Sequence, residues 1–366
     1  MPKLHKNPTK FRFIIASKRC TYKSLSKDIS SIFTLLQKQV ETYHNKAHFY
    51  SGVKTNWIVH NRDSVLTAVD KSVQRKSAKC LASFDFSTLY TKIPHDKLIY
   101  VLTKIVEFTF KGGTRKIITV NNSGTAKWSN NKSKFLRNYS KDSIIDAISF
   151  LINNCFFNLG GKLFRQIIGI PMGSDPAPAF ANLFLFYYES SWLNDTKKSN
   201  NILARKFGLV FRYIDDLLAL NDGGSFERNH HNIYPTELQL NKENIDNNNT
   251  TFLDLHISIE NKVFKTKLFD KRDNFGFHIT RLPCKSSNIP NRMFYTTIST
   301  ECLRICRSTS ELAPAVNSIK SLVSRMVKQG AEINKLKNCV RRSFNKHLIH
   351  TKYNTTNQDI LTRIFG

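Results

Sequence analysis

Apolar and polar positions along the chain follow two periods, which predict helices and strands in different segments. Spacings of three and four residues predict helices, and short runs rich in β-branched and aromatic residues predict strands. The predicted helices begin at Ser26, span 95–110, 143–157 and 179–188, and recur beyond Ser308. The predicted strands lie at 79–90, 162–168 and 211–220, with hairpins at 115–128 and 252–269. A basic hairpin is expected before Ser26.

Two of the predicted strands are interrupted by acidic residues. Asp85 lies between two phenylalanines, and the pair Asp215 and Asp216 divides an apolar run at 211–220. Burying adjacent carboxylates costs free energy unless a cation keeps them ionised. Mg²⁺ suits such a site, and two ions about 4 Å apart can stabilise both the attacking and the leaving oxygen of a phosphoryl transfer. A solvated hairpin turn is the alternative for the acid pair.

Composition narrows the kind of partner. The 366 residues carry 56 Lys and Arg against 27 Asp and Glu, so the formal charge is +29. That excess predicts a polyanionic partner, either nucleic acid or an anionic membrane surface. No apolar run approaches the ~20 residues of a spanning helix, so a membrane protein is not expected. A secretory leader is not expected, because the first residues have no apolar core of the signal-peptide kind. A disulfide framework is not indicated either, because the seven cysteines are scattered along the chain.

Three segments in order resemble the A, B and C motifs of reverse transcriptases. They are FDFSTLYT at 84–91, GIPMGSDPAPAFANL at 169–183 and FRYIDDLLAL at 211–220. Their amino-acid sequences are most similar to those of reverse transcriptases of Penelope-like elements. Further segments at 2–17, 252–259 and 266–290 extend the resemblance over roughly residues 2 to 310.

The resemblance implies an α+β fold of the right-hand polymerase type, in which helices flank a palm sheet. Residues 1–78 would form short, partial fingers, and residues 301–366 a helical thumb. Residues 79–300 would form the palm, with an inserted hairpin at about 112–135 and a second hairpin after the palm. Cys302 and Cys306 precede two histidines, but their spacing does not fit a zinc finger, so we interpret them as one helix face.

By the same resemblance, Asp85 and Asp215 would hold two Mg²⁺ ions, with Mn²⁺ as a substitute. Asp216 would complete the acidic cluster, and the backbone carbonyl of Phe86 would be an additional ligand. The nucleophile would be the 3′-hydroxyl of the primer, so the protein needs no nucleophilic side chain.

The resemblance also assigns residues to the incoming nucleotide. Tyr90 matches the steric gate that favours deoxynucleotides, with a core tyrosine as the alternative. Met172 and Gly173 match the loop beside the nascent base pair, although an ordinary glycine turn would look the same.

Four basic residues have weaker assignments. Arg12 matches the arginine that contacts the triphosphate, and Lys6 and Lys10 would share that contact or only steer phosphate. Lys242 is in the region where a lysine can protonate pyrophosphate, with a solvated charge as the alternative.

The leading hypothesis is therefore an RNA-directed DNA polymerase, a nucleotidyltransferase of a retroelement. It would use an RNA template, a DNA primer and dNTPs. A catalytically silent nucleic-acid-binding relic and an RNA-directed RNA polymerase are the alternatives. Protein partners are not indicated, and a nuclear location is only what a mobile element would need.

Overall fold

A computed structural model describes most of the chain. The described residues are 2–3, 10–11, 20–111, 116–244, 246–270, 272, 275, 279, 282 and 284–366, of which the first two pairs are described by their backbone only. The chain divides into two compact units. The first contains residues 1–60 and 80–245, and the second contains residues 61–79 and 246–366.

Helices account for much of both units. They are α1 (Lys23–Ser51), α2 (Asp63–Arg75), α3 (Leu89–Lys92), α4 (His95–Phe110), α5 (Lys141–Asn153), α6 (Ala177–Ser199), α7 (Asn201–Lys206), α8 (Ser225–Ile233), α9 (Asn291–Ser308), α10 (Leu312–Lys328), α11 (Ile333–His347), α12 (Ile349–Lys352) and α13 (Asn357–Phe365), with a 3₁₀ turn at Phe207–Leu209. The prediction for 95–110 is confirmed by α4, and α1 begins three residues before the predicted Ser26.

Strands pair in small antiparallel sheets. They are β1 (Pro2–Lys3), β2 (Lys10–Phe11), β3 (Leu81–Phe86), β4 (Ile117–Val120), β5 (Ala126–Ser129), β6 (Arg137–Ser140), β7 (Phe156–Leu159), β8 (Lys162–Arg165), β9 (Val210–Tyr213), β10 (Asp216–Leu220), β11 (Leu240–Lys242), β12 (Asn249–Phe252), β13 (Leu255–Glu260) and β14 (Val263–Leu268). With the helices they give the predicted α+β class.

The first unit is organised around a four-stranded sheet of order β11-β3-β10-β9. Side chains alternate between the faces of a strand, so each strand contributes to both faces. The residues of this sheet that are buried in the main core all lie on one face: Ala82, Phe84, Phe86, Val210, Leu217 and Ala219. Residues of α1, α4, α5, α6 and α8 complete that core. The acids therefore lie on the face opposite the main core.

The predicted inserted hairpin is present as β4 and β5, and a third strand, β6, pairs with β4. Asp28 of α1 anchors β6, although its side chain is only 3% exposed. It accepts hydrogen bonds from Arg137 at 2.5 and 2.9 Å and from the Tyr139 hydroxyl at 2.7 Å. This cluster ties the small sheet to α1.

Two predicted helix ends are wrong. The helix expected over 179–188 is part of α6, which continues to Ser199. The helix expected over 143–157 ends at Asn153, and Phe156 begins β7. Gly160 and Gly161 have φ of 59° and 78° and form the turn between β7 and β8. Glycine tolerates that backbone at both central positions of a two-residue hairpin.

The second unit contains the sheet β12-β13-β14 and the helices after Asn291. Its core contains Cys302 and Cys306, so their interpretation as one buried helix face is confirmed. Residues 246–300, which we assigned to a palm, belong to this unit. The functional boundaries at 78 and 300 stay predictions. Over the described residues, every helix is too short or too polar to cross a bilayer.

Candidate active site

The acid pair lies at a tight hairpin. Strand β9 ends at Tyr213, Ile214 and Asp215 form the turn, and Asp216 begins β10. Ile214 has a φ of 53°, a conformation that β-branched residues rarely adopt. Backbone strain of this kind persists only where the surroundings enforce it, and it is concentrated at functional sites.

The strand register brings the acids of separate segments together. Asp216 is paired with Asp85 on β3 and with Tyr213 on β9, while Asn241 on β11 is paired with Asp85. Directly paired residues have Cα atoms about 4.5–5.5 Å apart and side chains on the same face. The sheet therefore presents a row of Asn241, Asp85, Asp216 and Tyr213.

Asp215 is connected to this row through the backbone. The Phe86 N–H donates to the carbonyl of Asp215 at 3.1 Å, which joins the turn to the residue after Asp85. All three aspartates are half-buried. The structure thus brings together Asp85, Phe86, Asp215 and Asp216, as the motif resemblance predicts.

The donor set fits a hard divalent cation, because carboxylate and carbonyl oxygens are the ligands that Mg²⁺ prefers. The described residues do not contain three or more His, Cys, Asp or Glu side chains already gathered in metal-binding geometry.

Tyr90 lies on α3, just after β3. Its backbone contacts the loop at 169–174, the glycine loop, which contains Met172 and Gly173. The Ile170 N–H donates to the Tyr90 carbonyl at 2.9 Å, and the Gly169 N–H donates to the Ile93 carbonyl at 2.7 Å. A Cβ on Gly169 would lie 2.4 Å from the Tyr90 oxygen, and Gly169 has a φ of 85°. Gly169 is therefore required for this close approach. Our sequence reasoning singled out only Gly173, whose φ is 107°.

The far end of the same loop is held by α1. Asp175 accepts hydrogen bonds from Lys23 at 2.8 Å and from Ser26 at 2.9 Å, and its carbonyl accepts one from Ser30 at 3.0 Å. Partial burial raises the pKa of Asp175, but the bonds from Lys23 and Ser26 outweigh it and leave that pKa below its usual value. Met172 is half-buried and Gly173 is exposed between these two anchors.

The roles predicted for the basic residues have less support in the structure. Lys242 is paired with Phe84, on the face opposite the acids, and its ammonium lies 2.8 Å from Glu227 of α8. The pyrophosphate role stays a prediction, and the register argues against it. Arg12 and Lys6 lie outside the described residues, and only the backbone of Lys10 is described, in β2.

Asn241 is a residue that the sequence reasoning missed. It is exposed and shares the acid face, one position before Lys242. The alternation of faces along a strand was the signal that could have identified it, but Asn241 begins an Asn-rich segment at 241–251, and such a composition is typical of a linker.

The sequence matches the family described as reverse transcriptase (RNA-dependent DNA polymerase) over residues 4–254. The match covers more than half of the chain. The chain therefore belongs to the reverse transcriptase family.

Two telomerase structures are similar to this chain. A telomerase from Candida albicans, in complex with a TWJ fragment of telomeric RNA, is similar with a TM-score of 0.50 and 12% identity, over 94% of this chain. The match covers 59% of that telomerase chain. An apo telomerase from Candida tropicalis has a TM-score of 0.49 and 14% identity, over 92% of this chain and 53% of its own. No curated protein matches. The family match, with the similarity to the Candida albicans telomerase, supports a reverse transcriptase fold.

Proposed function

We propose that this chain is an RNA-directed DNA polymerase of a Penelope-like retroelement, which extends a primer 3′-hydroxyl with dNTPs on an RNA template. The observation that carries the proposal is the register of Asp216 on β10 with Asp85 on β3, with Asp215 in the adjoining turn. The net charge of +29 suits a partner rich in phosphate.

In this proposal, Asp85, Asp215 and the Phe86 carbonyl would hold two Mg²⁺ ions, or Mn²⁺ in their place, with Asp216 beside them. When bound, the ions supply charge stabilisation to the attacking and leaving oxygens. The protein contributes positioning, since phosphoryl transfer requires little covalent chemistry from side chains.

The nucleotide would lie between Tyr90 and the loop that contains Met172 and Gly173. The Tyr90 ring would crowd a ribose 2′-hydroxyl and so favour dNTPs. The hydrogen bond from Ile170 to the Tyr90 carbonyl supports this arrangement, because it fixes the loop against the segment that carries the ring. Arg12, with Lys6 and Lys10, would bind the triphosphate.

Primer extension on a primed RNA template, with dNTPs and Mg²⁺, tests the proposal. We expect incorporation by the wild type and a loss of at least about 10²-fold in Asp215→Asn. Asp195→Asn is the matched control, because it removes the same charge from a side chain that is 76% exposed on α6. Activity that survives Asp215→Asn contradicts the mechanism. Salt-sensitive binding without any incorporation would indicate the silent relic.

Nucleotide choice separates DNA from RNA synthesis. The wild type should prefer dNTPs over NTPs, and Tyr90→Ala should reduce that preference. Tyr100→Ala is the control, because that side chain is 54% exposed on α4 and away from the loop contacts. A wild-type preference for NTPs would favour the RNA polymerase alternative.

A further inference from the structure

A fully buried arginine lies beneath the turn that carries Asp215. Arg212 is on β9 and is paired with Leu217, so its side chain enters the core face of the sheet. Its exposure is 0%, as is that of its ion-pair partner Glu189 on α6. An arginine with this burial must satisfy its charge and its five donors inside the protein.

All five guanidinium N–H groups have acceptors. Nε donates to Glu189 Oε1 at 2.5 Å, and Nη2 donates to Glu189 Oε2 at 3.1 Å and to the Asn182 carbonyl at 3.0 Å. Nη1 donates to Asn182 Oδ1 at 3.0 Å and to the Ile214 carbonyl at 3.2 Å. The ion pair with Glu189 needs only two of these bonds.

The bond to Ile214 reaches the strained residue of the turn. The Ile214 carbonyl belongs to the peptide that precedes Asp215, and the next carbonyl, that of Asp215, accepts from the Phe86 N–H. Two consecutive carbonyls of the turn are therefore held, one from the core and one from β3. This explains how Ile214 is kept at a φ of 53°.

The anchor extends to the helix that follows the glycine loop. Asn182 and Glu189 are both on α6, which begins at Ala177 directly after that loop. The Tyr234 hydroxyl also donates to Glu189 at 2.8 Å, but Tyr234 has no described bond to the turn. The network thus has one branch to the turn and one branch that only supports the ion pair.

We propose that Arg212 is a positioning residue, which sets the geometry of Asp215 and thereby the affinity of the acid site for divalent cations. The proposal rests on the proposed function, since it concerns the same site. A purely structural ion pair would stabilise the fold without influencing the turn.

The test compares Arg212→Lys with Tyr234→Phe in the full chain. Lysine keeps the charge beside Glu189 but lacks the planar fork that reaches Asn182 and Ile214 together. Tyr234→Phe removes one hydrogen bond of the same network and leaves the turn contact in place. Three quantities are measured: thermal stability, hydrogen exchange of the Phe86 amide, and Mn²⁺ binding by electron paramagnetic resonance without substrate.

We expect both variants to lower thermal stability. Only Arg212→Lys should accelerate exchange at Phe86 and weaken Mn²⁺ binding, by about 10-fold, the size expected when a residue behind a metal ligand is lost. Should Arg212→Lys fail to fold, Asn182→Ala replaces it, because it removes an acceptor from the same Nη1 atom. It should change exchange and Mn²⁺ binding in the same direction by a smaller factor.

The proposal is overturned if Arg212→Lys and Tyr234→Phe change the exchange at Phe86 and the Mn²⁺ affinity equally. This holds whether both changes are small or both are large. Hydrogen exchange needs neither metal nor catalysis, so this outcome is independent of polymerase activity. Failure of the proposed function would appear separately, as Mn²⁺ binding that is unchanged in Asp215→Asn.

Discussion

The two faces of the four-stranded sheet differ in how deeply their charged side chains are buried. On the core face, Arg212 and Glu189 are completely buried and neutralise each other. On the other face, Asp85 and Asp216 lie side by side and are half-buried. Neighbouring residues on a strand point to opposite faces, so a structural charge and a charge that a ligand can reach lie on opposite faces of the same sheet. Burial therefore distinguishes the two roles better than residue type does.

The largest expected effect comes from removing one negative charge from each face. Glu189→Gln leaves the Arg212 charge in the core with only neutral acceptors, so the free energy of unfolding should fall by about 3–5 kcal/mol. Asp215→Asn should change the free energy of unfolding by less than about 1 kcal/mol, while it lowers incorporation by at least about 10²-fold. Urea denaturation followed by tryptophan fluorescence measures this in the first unit, since Trp57, Trp128 and Trp192 all lie there. Similar stability losses in both variants would contradict the comparison.

The next effect concerns the loop beside the acid face. Gly169→Ala should lower the free energy of unfolding by about 1–3 kcal/mol or more, because the new Cβ meets the Tyr90 carbonyl and the backbone becomes strained. Gly160→Ala is the control: its φ is also positive, at 59°, but nothing lies within 4 Å of the added Cβ. It should lose only the strain energy. An equal loss in both variants would show that the contact with Tyr90 is unimportant.

A third expected effect depends on pH and concerns His44, a buried histidine of α1 whose hydrogen-bond partner among the described residues is not a carboxylate. Burial lowers the pKa of His44 to about 4, and its hydrogen bond goes to the Thr55 hydroxyl at 2.8 Å. The unfolded chain binds the proton below about 6.5, whereas the folded chain stays neutral down to about 4. The unfolded state therefore binds more protons in this window, and stability should fall as pH decreases, by up to about 1.4 kcal/mol per pH unit.

Urea denaturation between pH 7 and pH 4 measures this slope, with His44→Gln as the reference, because other carboxyl groups begin to titrate near its lower end. The wild type should lose more stability than the variant across the window. Parallel curves would show that His44 does not contribute.

The smallest expected effect distinguishes the two faces at β11. Lys242→Ala should cost at most about 1 kcal/mol, since its pair with Glu227 is partly exposed. Because Asn241 shares the acid face and Lys242 does not, Asn241→Ala should lower incorporation several-fold and Lys242→Ala less than twofold. Steady-state dNTP incorporation decides this. The opposite order would restore the pyrophosphate role predicted for Lys242.

Local sequence patterns correctly predicted those helices and strands whose apolar spacing is regular. The apolar period of α4 and the interrupted strands at 211–220 were identified correctly, and the order of the three motifs indicated the family. The end of α5 was not predicted correctly, because a pair of glycines such as Gly160 and Gly161 can end a helix or form a hairpin turn equally well. Only the pairing of β7 with β8 decides between these.

The sequence by itself determined which residues carry charge inside apolar runs, because such residues are costly unless a partner or ligand compensates them. It did not determine which face each one occupies. That depends on register: the pairing of Asp85 with Asp216 brings residues 131 positions apart onto one face. The pairing of β9 with β10 places Arg212 on the core face beneath the turn, and the pairing of β11 with β3 places Lys242 on the face opposite the acids. Contacts between distant segments have no local signal, so only the tertiary structure assigned these neighbours.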